Sequence, residues 1–215
     1  MNYIIGVGGG GSWLAHILAK LVKDITLVDG DTVEKKNLDR QLFTVRDIGT
    51  NKADALCNKL SLKSIPEFYR CGTVEHTPRD TIWSCVDNNR GRREILASVE
   101  QYKCRAIILG NETFSSEAYI VLPQWIDTPK DPRQFYPELL QDSGLDPIAR
   151  SIGCTGEAQE ANPQLASANY MAVGLAVHLW TMHEELRKLT PRQREQLLST
   201  MPHRINANLT SVTCQ

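Results

Sequence analysis

Residues 3–29 read YIIGVGGGGSWLAHILAKLVKDITLVD, and this stretch decides the fold. A short apolar run breaks into four consecutive glycines, after which apolar residues recur with the spacing of an α-helix. A second apolar run, Ile25–Val28, then ends at Asp29. The order is strand, glycine turn, helix, strand, which predicts two parallel strands joined by a right-handed crossover.

Within this unit, Gly6-x-Gly8-x-x-Gly11 matches the dinucleotide-binding fingerprint. Gly6 permits the tight turn, Gly8 lets a phosphate approach the backbone, and Gly11 lets helix and sheet pack closely. The free N–H groups of the helix that begins near Ser12 favour an anion. Asp29 lies where an acidic side chain accepts hydrogen bonds from ribose hydroxyls. The pattern predicts a nucleotide with a ribose, and a turn that serves packing alone is the alternative.

The rest of the chain continues the alternation of strands and helices. The apolar spacing predicts a second helix over 53–60, a third strand at 68–74, a fourth at 81–86, a helix over 90–102, and strands at 106–109 and 117–122. We therefore predict an α/β fold with a Rossmann-like, mostly parallel sheet flanked by helices.

The second half of the chain carries different signals. Six prolines fall within residues 123–164, which predicts an irregular crossing loop. A long helix over 165–189, a short one near 192–198 and an edge strand within 204–213 are expected to follow. The 215 residues thus read as a single domain, with a nucleotide-binding core (1–122), the Pro-rich crossing loop (123–164) and a C-terminal region of helices plus a strand (165–215).

Composition limits the partners and the cellular location. A net charge of -1 provides no general attraction to nucleic acid or membrane, so neither is expected as a partner. The six cysteines form no C-x-x-C pair, so no structural zinc is expected, and reduced thiols favour the cytoplasm. The start of the chain resembles a strand rather than a signal peptide. The apolar stretch 165–182 contains Asn169 and His178 and is too polar to span a membrane.

The segment after the second strand bears on the choice between NAD and ATP. It reads DGDTVEKKNLDRQ over residues 29–41 and is followed by Asp47-Ile48-Gly49 and Lys52. NAD sites have no use for a block of Asn, Arg and Lys at this point. A triphosphate site needs such cations to offset charge as pyrophosphate leaves. The segment favours ATP.

At these motifs the sequence resembles the ThiF/MoeB family, relatives of the ubiquitin-activating enzymes. The matching pieces are the G-x-G-G-x-G turn, D-x-D-x-V-x-x-x-N-L-x-R-Q, D-I-G-x-x-K, and C-V-D-N at residues 85–88. They cover residues 4 to about 93 in family order. FYPEL at residues 135–139 and C-T…N-P-Q within 154–164 are similar to the plasmid- and phage-borne ThiF-like branch.

The resemblance implies roles for individual residues. Asp29 would bind the ribose, and Asn37 and Arg40 would contact the phosphates. Lys52 would neutralise charge on the β- and γ-phosphates, and Asp87 would hold Mg²⁺. Asp87 and the two Asn residues after it could instead cap the next helix. The family's nucleotide-contacting positions fall on Gly6, Gly8, Gly9, Gly11, Asp29, Asp31, Asn37, Arg40 and Lys52.

The resemblance also implies the reaction. The C-terminal carboxylate of a small ubiquitin-like or sulfur-carrier protein attacks the α-phosphate of ATP, and pyrophosphate departs. Arg40, Lys52 and Asp87 would be the catalytic residues, and a homodimer is the usual assembly. A cysteine accepts the acyl group in some relatives. Cys154 is the candidate here, with a buried, inert thiol as the alternative, and Cys85 is expected in the core.

Two other functions compete with this hypothesis. A non-catalytic nucleotide-binding subunit would keep the fold as an interaction platform, but it would have no need for Arg40, Lys52 and Asp87. An NAD-dependent oxidoreductase would leave the same cations without a task. Arg92 and Arg93, on the helix after Asp87, are candidates for a further cation at the site, with an ordinary surface position as the simpler interpretation.

Overall fold

The computed structural model of the protein describes residues 1–111, 115–140, 166–208 and 211–213. Eight strands within these residues form one sheet. They are β1 (Asn2–Ile5), β2 (Ile25–Val28), β3 (Lys63–Ile65), β4 (Thr81–Ser84), β5 (Arg105–Asn111), β6 (Ser115–Val121), β7 (Arg204–Asn208) and β8 (Ser211–Thr213).

Six α-helices accompany the sheet within the same residues. They are α1 (Gly9–Leu21), α2 (Lys52–Leu60), α3 (Asn89–Tyr102), α4 (Pro132–Phe135), α5 (Ala166–Arg187) and α6 (Pro191–Thr200). None of the helices in the described part of the chain is both long and apolar enough to cross a bilayer.

The sheet is parallel in its first half. The strand order is β3-β2-β1-β4-β5-β6-β7-β8, and the first five strands pair in parallel. The predicted Rossmann-like, mostly parallel α/β fold is therefore confirmed. Strands β2 and β3 follow on one side of β1, whereas β5 follows β4 on the other side. The strand order therefore reverses between β1 and β4, and a crevice opens between the carboxyl ends of these two strands. Open α/β sheets bind their ligands at such a point.

Three antiparallel strands, β6 to β8, extend the sheet beyond β5. The expected single strand within 204–213 is in fact a hairpin, with β7 paired to β6 and β8 at the edge. The other expected strands and helices lie within a few residues of their predicted positions.

The prediction of the third strand at 68–74 is wrong. Strand β3 lies earlier, at Lys63–Ile65, and pairs with β2. Pro66 follows it and lacks the N–H that a longer ladder would need. The apolar residues that suggested a strand lie in a loop instead, and each makes a separate contact with the rest of the domain. Phe68 lies against Gly30, and the buried Tyr69 donates to Ser98 Oγ at 2.8 Å.

Two hydrophobic clusters cover the two faces of the sheet. Alternate residues of β1 point to opposite faces, so Ile4 joins one cluster while Tyr3 and Ile5 join the other. Helices α1, α2 and α5 cover the first face, and α3 covers the second. This sandwich fixes the glycine turn after β1 between two packed layers.

The described part of the Pro-rich segment, 123–140, consists of α4 and two 3₁₀ turns, Pro123–Trp125 and Pro137–Leu139. Tyr136 anchors it, because its hydroxyl donates to Glu117 on β6 and accepts from Arg204 on β7 at 2.9 Å. The remainder of the predicted crossing loop, 141–164, lies outside the described residues. The division at 122 and 164 stays a prediction.

Candidate functional site

The glycine turn between β1 and α1 contains two kinds of glycine. Gly6 has a φ of 86°, and a Cβ atom on Gly11 would lie 1.9 Å from the Gly6 carbonyl oxygen, so both are required by the fold itself. Among the described residues, the nearest atom to a Cβ atom on Gly8 would be Gln41 Nε2, at 3.9 Å. Packing within the protein therefore does not demand glycine at position 8, and open space remains in front of the turn.

Helix α1 begins at this turn without a side-chain cap. Gly8 is its N-cap residue, and no acidic residue lies in its first turn. The other helices with described N-caps (α2, α3, α4 and α6) each have a side chain that accepts from a first-turn N–H. Within the described residues, the N–H groups at the start of α1 and its dipole thus lack a compensating side-chain acceptor. An anionic ligand would supply one.

Asp29, at the carboxyl end of β2, joins the turn to the neighbouring strand. Its Oδ2 accepts from Val7 N at 2.5 Å and its Oδ1 from Asp31 N at 2.8 Å. Burial raises the pKa of Asp29, while Lys52 and the two backbone donors oppose that rise. These contacts hold the carboxylate within the glycine turn, where the sequence pattern predicts a ribose.

Lys52 is brought to this carboxylate by the start of α2. Asn51 caps α2, and its Nδ2 donates to the carbonyl oxygens of Asp29 at 2.8 Å and Asp31 at 3.1 Å. Lys52 follows directly and pairs with Asp31 Oδ2 at 2.9 Å, although its own side chain is only 10% exposed. A buried ammonium group with one exposed carboxylate partner is a suitable neighbour for further negative charge. Sequence reasoning did not identify Asn51, whose role depends on contacts with the neighbouring strand.

The N-L-x-R-Q segment folds onto the first turns of α1. Trp13 Nε1 donates to the Arg40 carbonyl oxygen at 3.3 Å, and Leu42 N donates to Ser12 Oγ, also at 3.3 Å. Arg40 is half-buried, and its guanidinium makes no hydrogen bond or ion pair with any described residue. The cationic segment and the glycine turn are therefore neighbours, although 27 residues separate Trp13 from Arg40.

Two amide side chains of this segment differ in their use. Asn37 Oδ1 accepts from Glu34 N at 2.8 Å and shapes the 3₁₀ turn Lys35–Asn37. Gln41, only 9% exposed, places Nε2 beside Gly8, and its buried Oε1 has no partner among the described residues. Sequence reasoning placed Gln41 in the motif without a role. Its unpaired oxygen beside the glycine turn makes it a candidate site residue.

Asp87 lies at the same edge of the sheet, just after β4. The backbone of Cys85 and Val86 contacts Gly6, which places Asp87 next to the turn. Asn88 caps α3, with Oδ1 accepting from Gly91 N at 2.8 Å, so the capping role considered for Asp87 belongs to its neighbour. Arg92 is 3% exposed. Its interpretation as a surface residue is wrong, because it lies on the face of α3 that covers the sheet.

Two cysteines, Cys85 and Cys154, were singled out by the sequence. Cys154 lies outside the described residues, so its acyl-acceptor role stays a prediction. Cys85 packs against the first core cluster, and burial raises the pKa of its thiol far above the usual value.

Across the described ranges, no three His, Cys, Asp or Glu side chains form a group that could hold a metal ion. A phosphate-bound Mg²⁺ needs fewer protein ligands than that.

Comparison with known proteins identifies relatives of the chain. The family model described as "ThiF family" matches residues 2–201. The ubiquitin-like modifier-activating enzyme 5 of Drosophila willistoni is 30% identical over 121 residues, which is 46% of this chain and 30% of the relative. The aligned region therefore spans less than a third of that relative's length.

Solved structures show the same fold. The Escherichia coli tRNA N6-threonylcarbamoyladenosine dehydratase in complex with ATP has a TM-score of 0.62 at 18% identity, over 88% of each chain. E. coli MccB with AMPCPP and MccA has a TM-score of 0.63 at 16% identity, over 99% of this chain and 61% of the other. At such identities the likeness concerns the fold. Because the family model covers nearly the whole sequence, the chain belongs to the ThiF family.

Proposed function

We propose that this protein uses ATP to adenylate the C-terminal carboxylate of a small ubiquitin-like or sulfur-carrier protein, with release of pyrophosphate. Members of the ThiF family are ATP-dependent adenylyltransferases that act on a substrate carboxylate. The observation that carries the proposal is the packing of the N-L-x-R-Q segment on the uncapped start of α1, through Trp13–Arg40 and Leu42–Ser12.

This packing favours a triphosphate over a dinucleotide. A phosphate at the start of α1 would lie between the turn on one side and the segment of Arg40 and Gln41 on the other. Lys52 adds a second cation beyond Asp29 and Asp31. Two cations spaced around the turn match a chain of phosphates that extends past it. A pyrophosphate that bridges two nucleosides would use the turn but would have no partner for these groups.

The proposed roles follow from the positions. Asp29 and Asp31 lie at the carboxyl end of β2 and would bind the ribose side of the nucleotide, with Gly6, Gly8, Gly9 and Gly11 forming the phosphate turn. Arg40, with Asn37 on the same segment, would bind the phosphates. Lys52 would neutralise the charge that develops on the departing pyrophosphate.

The chemistry needs no nucleophile from the protein. A carboxylate oxygen of the carrier forms a bond to the α-phosphorus, the bond from that phosphorus to the β-phosphate oxygen breaks, and pyrophosphate leaves with the electron pair. The protein holds the two reactants in line and offsets charge. Arg40, Lys52 and Asp87 would be the catalytic residues.

A magnesium ion fits the residues at this edge. Asp87 is a carboxylate next to the turn, and the cap of α3 is provided by Asn88, whose Nδ2 also lies 3.5 Å from Asp87 Oδ1. Mg²⁺ prefers carboxylate and phosphate oxygens and commonly keeps only one or two protein ligands. Asp87 would hold the ion, which supplies charge neutralisation for the phosphates.

The partner and the assembly belong to the same proposal. A relative named as a ubiquitin-like modifier-activating enzyme and a structural neighbour solved with MccA both suggest a protein or peptide that presents its carboxylate to the site. A flexible C-terminus would reach the crevice between β1 and β4. We also propose that the protein is a cytoplasmic homodimer that has no nucleic-acid or membrane partner.

Pyrophosphate exchange tests the reaction. The chain is incubated with ATP, Mg²⁺, labelled pyrophosphate and a panel of small proteins that end in Gly-Gly. We expect label to enter ATP with at least one carrier, and Asp87→Ala to reduce that rate by at least about 100-fold. The matched control, Asp24→Ala, removes an exposed carboxylate just before β2, at the opposite edge of the sheet.

The outcomes separate the competing functions. Unchanged exchange in Asp87→Ala removes Asp87 from the mechanism. Binding of Mg-ATP without exchange for any carrier contradicts the enzymatic proposal and supports the non-catalytic subunit. Equal loss in Asp87→Ala and Asp24→Ala shows that the assay reports folding rather than chemistry.

A further inference from the structure

A buried amide on α5, that of Asn169, lies against the glycine turn at Gly9, next to the position that Gln41 approaches. Asn169 is 0% exposed, and its Nδ2 has no hydrogen-bond partner among the described residues. A Cβ atom on Gly9 would lie 2.6 Å from this nitrogen. Gly9, the second of the four consecutive glycines, therefore makes room for an amide group that lies 160 residues away in sequence.

The position of Asn169 is fixed by its neighbours. Asn111, at the carboxyl end of β5, donates from Nδ2 to Asn169 Oδ1. Ser116 on β6 donates to the carbonyl oxygen of Ala168, the preceding residue, at 2.8 Å. With the acceptor of Asn169 engaged by Asn111, the group that remains toward the turn is the Nδ2 donor. The side chain is held in place rather than free to rotate toward solvent.

Several donors meet at this point. No side chain in the described part of the chain accepts from the N–H groups at the start of α1, and the buried Nδ2 of Asn169 lies against the same turn. Donors cannot satisfy one another, and a buried amide without a partner costs free energy. The nearby acceptor Gln41 Oε1 pairs with none of these donors. A phosphate oxygen is an acceptor suited to several converging N–H groups.

We propose that Asn169 is a phosphate-binding residue, and that its Nδ2 donates to a phosphate oxygen of the nucleotide held at the glycine turn. The contact would tie the first turn of α5 to the ligand, so that the C-terminal region of the chain takes part in nucleotide binding. This inference rests on the proposed function, because it needs a nucleotide at the turn. It adds a contact from a segment outside the N-terminal motifs.

Calorimetric titration with Mg-ATP and with adenosine tests it. Asn169→Ala removes the donor, and Asn169→Asp replaces it with a negative charge of nearly the same shape. We expect Mg-ATP affinity to fall about 10-fold and about 100-fold, respectively, because the lost contact is charge-assisted. Adenosine affinity should stay within about twofold of the wild type, because adenosine carries no phosphate. The control Asn58→Asp makes the same charge change at an exposed position of α2.

The affinities of the Asn169 variants for Mg-ATP and adenosine decide between the possible outcomes. Wild-type affinity for Mg-ATP in both Asn169 variants overturns this inference alone, and so does an equal loss for ATP and adenosine. Failure of the wild-type chain to bind Mg-ATP overturns the proposed function together with it. A variant that does not fold is replaced by a nuclear magnetic resonance titration of the wild type. The side-chain amide signal of Asn169 is expected to move with Mg-ATP and not with adenosine, and a signal that stays in place with both overturns the inference.

Discussion

The two edges of the parallel sheet use their polar groups differently. At the carboxyl edge, α1 starts without a cap, and Gln41 Oε1 and Asn169 Nδ2 are buried without described partners around the glycine turn. At the amino edge, Arg105 donates from Nε to Thr81 Oγ1 at 2.8 Å and pairs with Glu184 on α5. Unused hydrogen-bonding capacity at one edge is what a ligand site requires, whereas charges paired with each other stabilise the fold.

Helix α5 connects these edges, since Asn169 lies near its start and His183 near its end. His183 also has a buried nitrogen, Nε2, that finds no hydrogen-bond partner within the described ranges. Its surroundings nevertheless differ, because burial first, and then the charge of Arg105, lowers its pKa to about 4. A neutral imidazole packed against Trp125 belongs to the core, at the end of α5 far from the glycine turn. A buried polar atom without a described hydrogen-bond partner indicates a ligand site only where its surroundings favour a ligand.

The largest expected effect separates packing from binding within the glycine turn. Gly11→Ala forces a Cβ atom against the Gly6 carbonyl oxygen, and we expect it to lower the free energy of unfolding by more than about 4 kcal/mol. Gly8→Ala meets no such obstacle and should cost about 1 kcal/mol or less. Its Mg-ATP affinity should nonetheless fall at least about 10-fold, because the methyl group occupies the phosphate position.

Urea unfolding and calorimetry of these two variants measure both quantities. A stable Gly11→Ala protein would contradict the described contact between α1 and the turn. Full Mg-ATP affinity in Gly8→Ala would mean that the open space in front of Gly8 is not the phosphate position.

The second-largest expected effect is on the rate of pyrophosphate exchange and tests Lys52, the buried cation at the carboxyl edge. Lys52→Ala should lower the rate of pyrophosphate exchange about 100- to 1000-fold, the usual loss when a charge-stabilising group is removed from a reacting site. The control is Lys20→Ala, which removes an exposed lysine from α1. Exchange at the wild-type rate in Lys52→Ala would assign its ion pair with Asp31 to stability alone.

The smallest effect tests the amino edge by pH. An unfolded histidine titrates near 6.5, whereas the folded His183 has a pKa of about 4, so the unfolded state binds the proton first as pH falls. Stability from this group is therefore full above pH 6.5 and is lost toward pH 4. We expect a loss of about 2 kcal/mol between pH 7 and pH 5.

Urea unfolding at both pH values, in the wild type and in His183→Gln, measures that contribution. The variant should lose about 2 kcal/mol less than the wild type over the same interval. Equal losses in the two proteins would show that other groups carry the acid sensitivity.

Sequence reasoning succeeded where the determining contacts are local. The unit from β1 to β2 was predicted because one glycine turn and two apolar periods lie within 27 residues. Strand β3 was misplaced because Lys63-Ser64-Ile65 has no recognisable alternation, while Phe68 and Tyr69 do resemble a strand. Asn169 could not have been found, since its contacts with Gly9 and Asn111 exist only once α5 packs on α1 and β5.

The central claim is that cations beyond the second strand accommodate a triphosphate, and a calorimetric titration of the wild-type chain tests it most directly. Mg-ATP and NAD⁺ are titrated separately under the same conditions. The account predicts saturable binding of Mg-ATP and no measurable binding of NAD⁺. Binding of NAD⁺ as tightly as Mg-ATP, or no binding of Mg-ATP, would contradict it.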